Sequence, residues 1–148
     1  TKNSAVFKSA EYTIYTRLIE GKYFAYQKMF TEGEINTCAS RTALIGAMTR
    51  AKMCTEEKQP AVFQIEDDVL NISIRDKLAD YQEQVPLQET VCKSIRLGFD
   101  SRLVLETLKA FTCDNIALGF TSPRTPMIVE AEDSDMKAMV LPVAIREA

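Results

Sequence analysis

The side chains that could do chemistry in this sequence are four cysteines and two groups of carboxylates. The 148 residues contain no His, so the imidazole base of Ser-His or Cys-His catalysis and the commonest transition-metal ligand are missing. The separations of Cys38, Cys54, Cys92 and Cys113 fit neither a Cys-x-x-Cys redox pair nor a zinc site. We interpret the cysteines as free thiols buried among apolar neighbours, and spacing alone leaves a disulfide open.

The carboxylates could in principle hold a hard cation such as Mg²⁺ or Ca²⁺. The more ordinary interpretation is that they form solvated turns between strands. The five glycines are too scattered for a phosphate-binding loop or a G-x-S-x-G elbow. The sequence therefore predicts no catalytic residues, no metal site and no cofactor, and leaves a metal-dependent enzyme as a remote alternative. The two carboxylate groups are Asp67-Asp68 and Glu130, Glu132, Asp133 and Asp135.

Positive charge is concentrated in one segment of an acidic chain. The sequence has 18 Lys+Arg against 21 Asp+Glu, a net charge of −3. The segment from Ser40 to Met53 nevertheless holds Arg41, Arg50 and Lys52 and no carboxylate. Such a helix could approach a phosphate backbone and release condensed counterions. Alternatively, Arg and Lys are simply good helix formers on a solvated face.

Length and hydrophobicity indicate a folded domain. Hydrophobic residues make up 46% of the chain and charged residues 26%, which excludes global disorder. The length suits one domain. No apolar run reaches the roughly 18–20 residues of a membrane span, and residues 1–4 lack the apolar stretch of a signal peptide. We expect a soluble, cytoplasmic protein.

Two helices are predicted from caps and apolar spacing. Ser40 is a good N-cap for a helix that ends at Met53, and Asp100 caps a second helix over 101–111. Both segments have apolar residues at the spacing of one buried helical face. These residues are Leu44, Ala47, Met48 and Ala51 in the first helix and Val104, Leu108 and Phe111 in the second.

The remaining segments are predicted to be strands. Apolar and polar residues alternate in the segments 61–66 and 69–75, which are expected to form a hairpin that turns at Asp67-Asp68. The order is one strand run, a helix, a second run, a helix and a third run. This order favours an α+β fold in which two helices pack on antiparallel sheets. The other predicted strands are 12–19, 34–39, 78–87, 91–99, 115–121, 125–131 and 136–145, and 23–30 is expected to be a connector.

Several segments resemble one family in order and spacing. The run from Arg17 to Tyr26 resembles the R-L-[IV]-[DE]-G-[RK]-[FY]-P-x-Y segment between the second and third domains of the bacterial DNA polymerase III beta subunit, the replicative sliding clamp. Residues 139–145 resemble the family's closing V-M-P-[MV]-[RK]-[LI] segment. Between them, Gly98-Phe99-Asp100 with its helix, and residues 116–123, resemble the family's G-F-N helix start and its following strand and turn.

The resemblance implies a domain division and a function. Residues 1–30 would be the last strand or strands of the preceding clamp domain with the interdomain connector, and 31–148 the C-terminal clamp domain. In the family, two chains form a ring around duplex DNA, with helices facing the pore, and act as a processivity factor without catalytic residues. Arg41, Arg50 and Lys52, chosen by charge, would contact the DNA backbone. A stand-alone interaction domain that does not encircle DNA is the alternative.

The resemblance also implies a pocket for short Gln/Leu/Phe-type peptides. Its family partners are the DNA polymerase III catalytic subunit, the clamp loader and repair proteins. For these mostly apolar residues, ordinary core packing is the alternative. The sequence departs from the family at Phe24, Asp100 and Ala144, where Pro, Asn and a basic residue are usual. The matching residues are Phe24, Lys28, Met29, Asp100, Leu103, Pro126, Met139, Val140, Leu141, Pro142, Val143, Ala144 and Ile145.

Overall fold

The computed structural model describes residues 3–54, 59–75, 80–131 and 134–145. It confirms an α+β fold with two helices on antiparallel strands. Among the described residues, no helix is long and apolar enough to cross a bilayer. The elements are β1 (Ser4–Lys8), β2 (Thr13–Arg17), a 3₁₀ helix (Tyr26–Met29), β3 (Ile35–Ser40), α1 (Arg41–Met53), β4 (Ala61–Arg75), β5 (Asp80–Phe99), α2 (Ser101–Ala110), β6 (Asn115–Phe120), β7 (Met127–Ala131) and β8 (Ser134–Val140).

Most of the strands form one antiparallel sheet, with β1 and β2 paired separately. The order across the six-stranded sheet is β4-β5-β3-β6-β7-β8. Helix α1 contacts β3, β4, β5 and α2, while α2 contacts β8. The two helices therefore lie side by side and cover the apolar residues of the sheet.

The helix predictions are confirmed because their local signals agree with the packing. The Ser40 hydroxyl accepts a hydrogen bond from the Ala43 amide at 3.4 Å. The Asp100 carboxylate accepts one from the Arg102 amide at 2.8 Å. Each cap satisfies a backbone donor that a helix start leaves unpaired. Both predicted apolar stripes are buried: Leu44, Ala47, Met48 and Ala51 in α1, and Val104, Leu108 and the α2 C-cap Phe111.

The predicted turn at Asp67-Asp68 is wrong. Strand β4 continues through both residues, and its pairing with β5 shifts register on either side of Asp67. Asp67 has a φ of 52°, which allows the strand to bend without ending. Near this point β5 also pairs with β3, through Leu87 and Ala39. The predicted break of β5 between 87 and 91 is therefore wrong as well, because β5 runs on as one strand between β4 on one edge and β3 on the other.

Three smaller expectations are also corrected. The last strand ends at Val140 rather than at 145, because the chain leaves the β7 ladder there. Strand β1 was not predicted and pairs with β2. As predicted, no disulfide joins the four cysteines, but Cys92 is exposed and the others are half-buried rather than buried. Cys92 lies at an exposed position of β5.

Within the predicted acidic turn, Glu132 and Asp133 lie outside the described residues.

The bend in β4 generates a stability prediction. We expect Asp67→Val to lower the free energy of unfolding by about 1–2 kcal/mol, because a β-branched side chain resists positive φ. Asp67→Gly should be neutral or slightly stabilising. Urea unfolding measures both, and Asp68→Val at the neighbouring position is the matched control. Equal losses for the two valine variants would contradict a specific role for the backbone conformation at Asp67.

Candidate functional site

The residues that follow β8 reach the last residues of β5. Met139 and Val140 pair with Ile128 and Met127 of β7. Beyond β8, the Val143 amide donates a hydrogen bond to the Gly98 carbonyl of β5 at 2.8 Å. We name residues 141–145 the terminal segment. It therefore lies across the end of the sheet, next to the start of α2.

Gly98 allows this close approach. A Cβ at this position would lie 2.8 Å from the Val143 carbonyl oxygen and 3.0 Å from Ile145 Cγ1. Real Cβ atoms essentially never come closer than 3.0 Å, so a larger residue would displace the terminal segment. The glycine thus fixes where the terminal segment contacts β5.

The start of α2 lies beside the terminal segment. Asp100 is two residues after Gly98, and its carboxylate also lies 3.3 Å from the Leu103 amide that donates to it. Pro126 immediately precedes Met127, the partner of Val140. The structure therefore places Asp100 and Leu103 at the start of α2, two to five residues after the Gly98 contact, and Pro126 next to the strand pair that leads into the terminal segment.

Exposure separates the residues of this surface into two groups. Val140 is 3% exposed, so core packing accounts for it. Leu103, Leu141 and Val143 are 45%, 57% and 41% exposed, and Ala144 is exposed as well. Met139, Pro142, Ile145, Asp100 and Pro126 are half-buried. The exposed leucines and valine can contact a ligand, whereas Val140 supports the surface from beneath.

The connector holds the other predicted pocket residues. Phe24 is 60% exposed, and its ring stacks on Tyr23 with 4.8 Å between centroids. Lys28 is exposed and Met29 half-buried, both in the 3₁₀ helix. The contacts described for Phe24 are with Tyr23 and Tyr26, both in the connector. The structure thus presents these three residues on the connector.

The basic residues of α1 do not share one face. Arg41 and Lys52 are eleven positions apart, about three turns, and lie on the same side of the helix. Arg50 is nine positions from Arg41, about two and a half turns, and lies on the other side. Arg41 is half-buried, and its Nε donates to the Cys113 carbonyl at 2.6 Å. Lys52 is exposed.

Arg50 forms a two-point ion pair with Glu83 of β5. Its Nε and a terminal guanidinium nitrogen donate to the two carboxylate oxygens at 2.8 and 2.5 Å. The Tyr81 hydroxyl lies within hydrogen-bond distance of both the Glu83 carboxylate and, at 2.9 Å, the Ala47 carbonyl of α1. This cluster, Arg50, Tyr81 and Glu83, fastens α1 to β5. Sequence reasoning missed it because Glu83 lies 33 positions from Arg50.

The cluster shifts the ionisation of its members. The hydrogen bonds from Arg50 and Tyr81 hold the pKa of Glu83 below its ordinary value of 4.5. The same carboxylate raises the pKa of Arg50. Burial, followed by the bond to Glu83, raises the pKa of Tyr81. At neutral pH the arginine and the glutamate are therefore both charged, and the tyrosine is neutral.

No arrangement suited to a metal is found in the part of the chain that the structure describes. In those residues no group of three or more His, Cys, Asp or Glu side chains could hold a metal ion. Asp67 and Asp68 lie within the continuous strand β4.

Comparisons with known proteins point to one family. Residues 29–144 match the family described as DNA polymerase III beta subunit, C-terminal domain. The beta sliding clamp of Halalkalibacterium halodurans is 25% identical over 140 residues, which cover 91% of this chain and 37% of that protein. The beta sliding clamp of Staphylococcus aureus is also 25% identical, over 146 residues that cover 95% of this chain and 39% of that protein.

A solved structure supports the same fold. The DNA polymerase sliding clamp of Caulobacter crescentus superimposes with a TM-score of 0.89 at 14% identity, covering 98% of this chain and 40% of that one. The chain therefore spans about two fifths of the length of these relatives.

The ion pair between Arg50 and Glu83 generates a pH prediction. Because the pKa of Glu83 is lowered in the folded state, the pair stabilises above the ordinary pKa of 4.5 and is lost as pH falls through the lowered value. We expect Glu83→Gln to lower the urea midpoint at pH 7, and the difference from wild type to shrink below pH 4.5.

Urea unfolding at several pH values measures this effect. Glu34→Gln, which breaks the exposed single contact with Lys93 at 3.0 Å, is the matched control and should move the midpoint less. A Glu83→Gln difference that stays constant from pH 7 to about pH 3 would contradict the proposed linkage.

Proposed function

Because this chain belongs to the DNA polymerase III beta subunit family and contains its C-terminal domain, we propose that it acts as part of a sliding clamp. In this role it helps to enclose duplex DNA and hold a DNA polymerase close to its template. The observation that carries the proposal is the family match over residues 29–144. A stand-alone interaction domain, the alternative left open by the sequence, is not favoured, because the relatives are sliding clamps.

The proposed role needs no catalytic group in this chain. Enclosing DNA and docking partners depend on shape, charge and apolar contacts, and the chain has no His to act as a base. We therefore propose an accessory, non-enzymatic protein that works in the bacterial cytoplasm, where the DNA is replicated.

We assign residues 1–30 to the end of a preceding clamp domain and its connector. The pair β1–β2 supports this assignment, because large apolar side chains on it are exposed: Phe7 is 62% and Tyr15 is 74% exposed. Apolar pairs on a two-stranded ribbon are typically covered by further structure. Residues 31–148 then form the C-terminal clamp domain.

The helices are the proposed DNA-facing surface. In a ring of such domains α1 and α2, which lie side by side on the sheet, would line the pore. Contacts from Arg41 and Lys52 to phosphates would be independent of base sequence and sensitive to salt. Thr42 and Thr49 are exposed positions of the same helix, so a lysine introduced at either position should also contact DNA phosphates.

The second proposed function is peptide docking on the terminal segment. Leu141, Val143 and Leu103 expose apolar surface on two neighbouring elements. Burying one Leu or Phe of a partner contributes about 1.5–3 kcal/mol. Two such anchors with backbone hydrogen bonds suit a dissociation constant of about 1 μM after the costs of association. The proposed partners carry Gln/Leu/Phe-type motifs, as in the polymerase catalytic subunit, the clamp loader and repair proteins.

Peptide docking can be tested with one exposed side chain. Leu141→Asp should weaken binding of a fluorescent Gln-Leu-x-Leu-Phe peptide at least about tenfold, because it removes an apolar contact and adds a charge. Fluorescence anisotropy measures the affinity. Met53→Asp, at an 82% exposed methionine at the end of α1, is the matched control and should bind like wild type. Equal losses in both variants, or no binding to the wild-type chain at about 500 μM peptide, would contradict the proposal.

The DNA-facing surface can be tested by adding charge. Thr49→Lys on α1 should strengthen binding to duplex DNA at low salt. It should also make the slope of log affinity against log salt concentration steeper by about 0.9, the change expected for one additional phosphate contact. Thr90→Lys adds the same charge at an exposed position of β5. It should have a smaller effect, because Thr90 lies on a strand of the sheet and outside the proposed DNA-facing helices. Equal effects of the two variants would mean that only net charge matters.

A further inference from the structure

Arg50 is a basic residue of α1 whose charge is paired with a carboxylate of the sheet. Its guanidinium folds back across Gly46, where a Cβ would lie 3.2 Å from a terminal guanidinium nitrogen. From there it reaches Glu83 with two hydrogen bonds. The glycine leaves room for this path, although glycine within a helix costs about 1 kcal/mol relative to alanine.

We propose that Glu83 is an internal competitor for DNA phosphate, which keeps Arg50 from contacting DNA and so limits the affinity of α1. The inference rests on the proposed function, because it requires α1 to face DNA. It removes Arg50 from the predicted set of backbone contacts and assigns Glu83 a role that its position on a strand does not suggest.

The geometry supports competition rather than mere proximity. Arginine binds carboxylates and phosphates with the same planar pair of N–H donors. At Arg50, the two nitrogens that point at Glu83 are Nε and one terminal nitrogen, which form one of the two N–H pairs through which a guanidinium binds phosphate. A phosphate must therefore displace the carboxylate before it can bind in this way.

The carboxylate is also held in position. Glu83 has a 26% exposed side chain, and the Tyr81 hydroxyl lies beside one of its oxygens. That hydroxyl also lies 2.9 Å from the Ala47 carbonyl, one turn before Arg50. Because Glu83 is part of the fold and already ordered, it competes with a phosphate that must be brought from solution.

The consequence for DNA binding is a smaller electrostatic term. A cation that is neutralised within the protein releases no counterion from DNA, so it adds nothing to affinity or to the salt dependence. The carboxylate therefore sets how tightly the helix surface holds the duplex, without any contact of its own to DNA.

The test compares single and double variants in binding to a fluorescein-labelled duplex of mixed sequence. Glu83→Gln should raise affinity about threefold or more at about 50 mM salt and steepen the salt plot by about 0.9, because Arg50 becomes available. Arg50→Gln should weaken binding, since it leaves an unpaired carboxylate. The double variant Arg50→Gln/Glu83→Gln should match wild type in both affinity and slope.

A matched control separates this effect from net charge. Glu130→Gln also removes one carboxylate and releases a cation, Lys137 of β8, from a contact of 2.7 Å. It should raise DNA affinity less than Glu83→Gln does. Circular dichroism and urea unfolding verify that each variant is folded. Glu83→Gln keeps Arg50 intact, so this comparison stands even if the double variant fails to fold.

The outcomes distinguish this inference from the proposed function. If Thr49→Lys strengthens DNA binding but the double variant binds more weakly than wild type, Arg50 contacts phosphate and the inference is overturned. Equal effects of Glu83→Gln and Glu130→Gln overturn it as well. If Thr49→Lys has no effect, α1 does not face DNA, and the proposed function fails together with the inference.

Discussion

The fold depends on the long antiparallel pairing of β4 with β5. Strand β5 has 20 residues and pairs with β4 on both sides of the bend at Asp67. Its first part contacts α1 through Tyr81, and its last residue leads through Asp100 into α2. One strand therefore fixes the positions of both helices, and they cover the same layer. If β4 and β5 were each broken at the bend, they would form two separate hairpins, and the two helices would not pack on one continuous pair of strands.

The helices could be predicted from the sequence because their signals are local. A cap and an apolar stripe lie within one helix, and the packing agrees with both. The course of β4 and β5 could not be predicted in this way. Adjacent aspartates favour turns, but the pairing of β5 with β3 at Leu87 and Ala39 is set by residues 48 positions apart. Tertiary pairing here overrides the local preference.

The candidate site could likewise be predicted only in part from the sequence. The resemblance selected the terminal segment and the start of α2, and the structure joins them through Gly98 and Val143. Arg41, Arg50 and Lys52 look alike when only the charges within α1 are counted. Such a count leaves out Glu83, a strand residue that pairs with Arg50. The structure separates them: Arg50 is neutralised by Glu83, whereas Arg41 donates to a backbone carbonyl. The partners of these charges are thus contacts that sequence spacing does not show.

The hydrogen bond between Val143 and Gly98 has a consequence for local unfolding. It lies beyond Val140, where regular pairing with β7 ends, so the terminal segment can detach while the sheet remains intact. Its opening free energy is then lower than that of global unfolding. A ligand docked as proposed, on both Leu141 and Leu103, would hold the segment against α2 and so slow hydrogen exchange at the Val143 amide. The proposed docking surface therefore includes residues that can open locally.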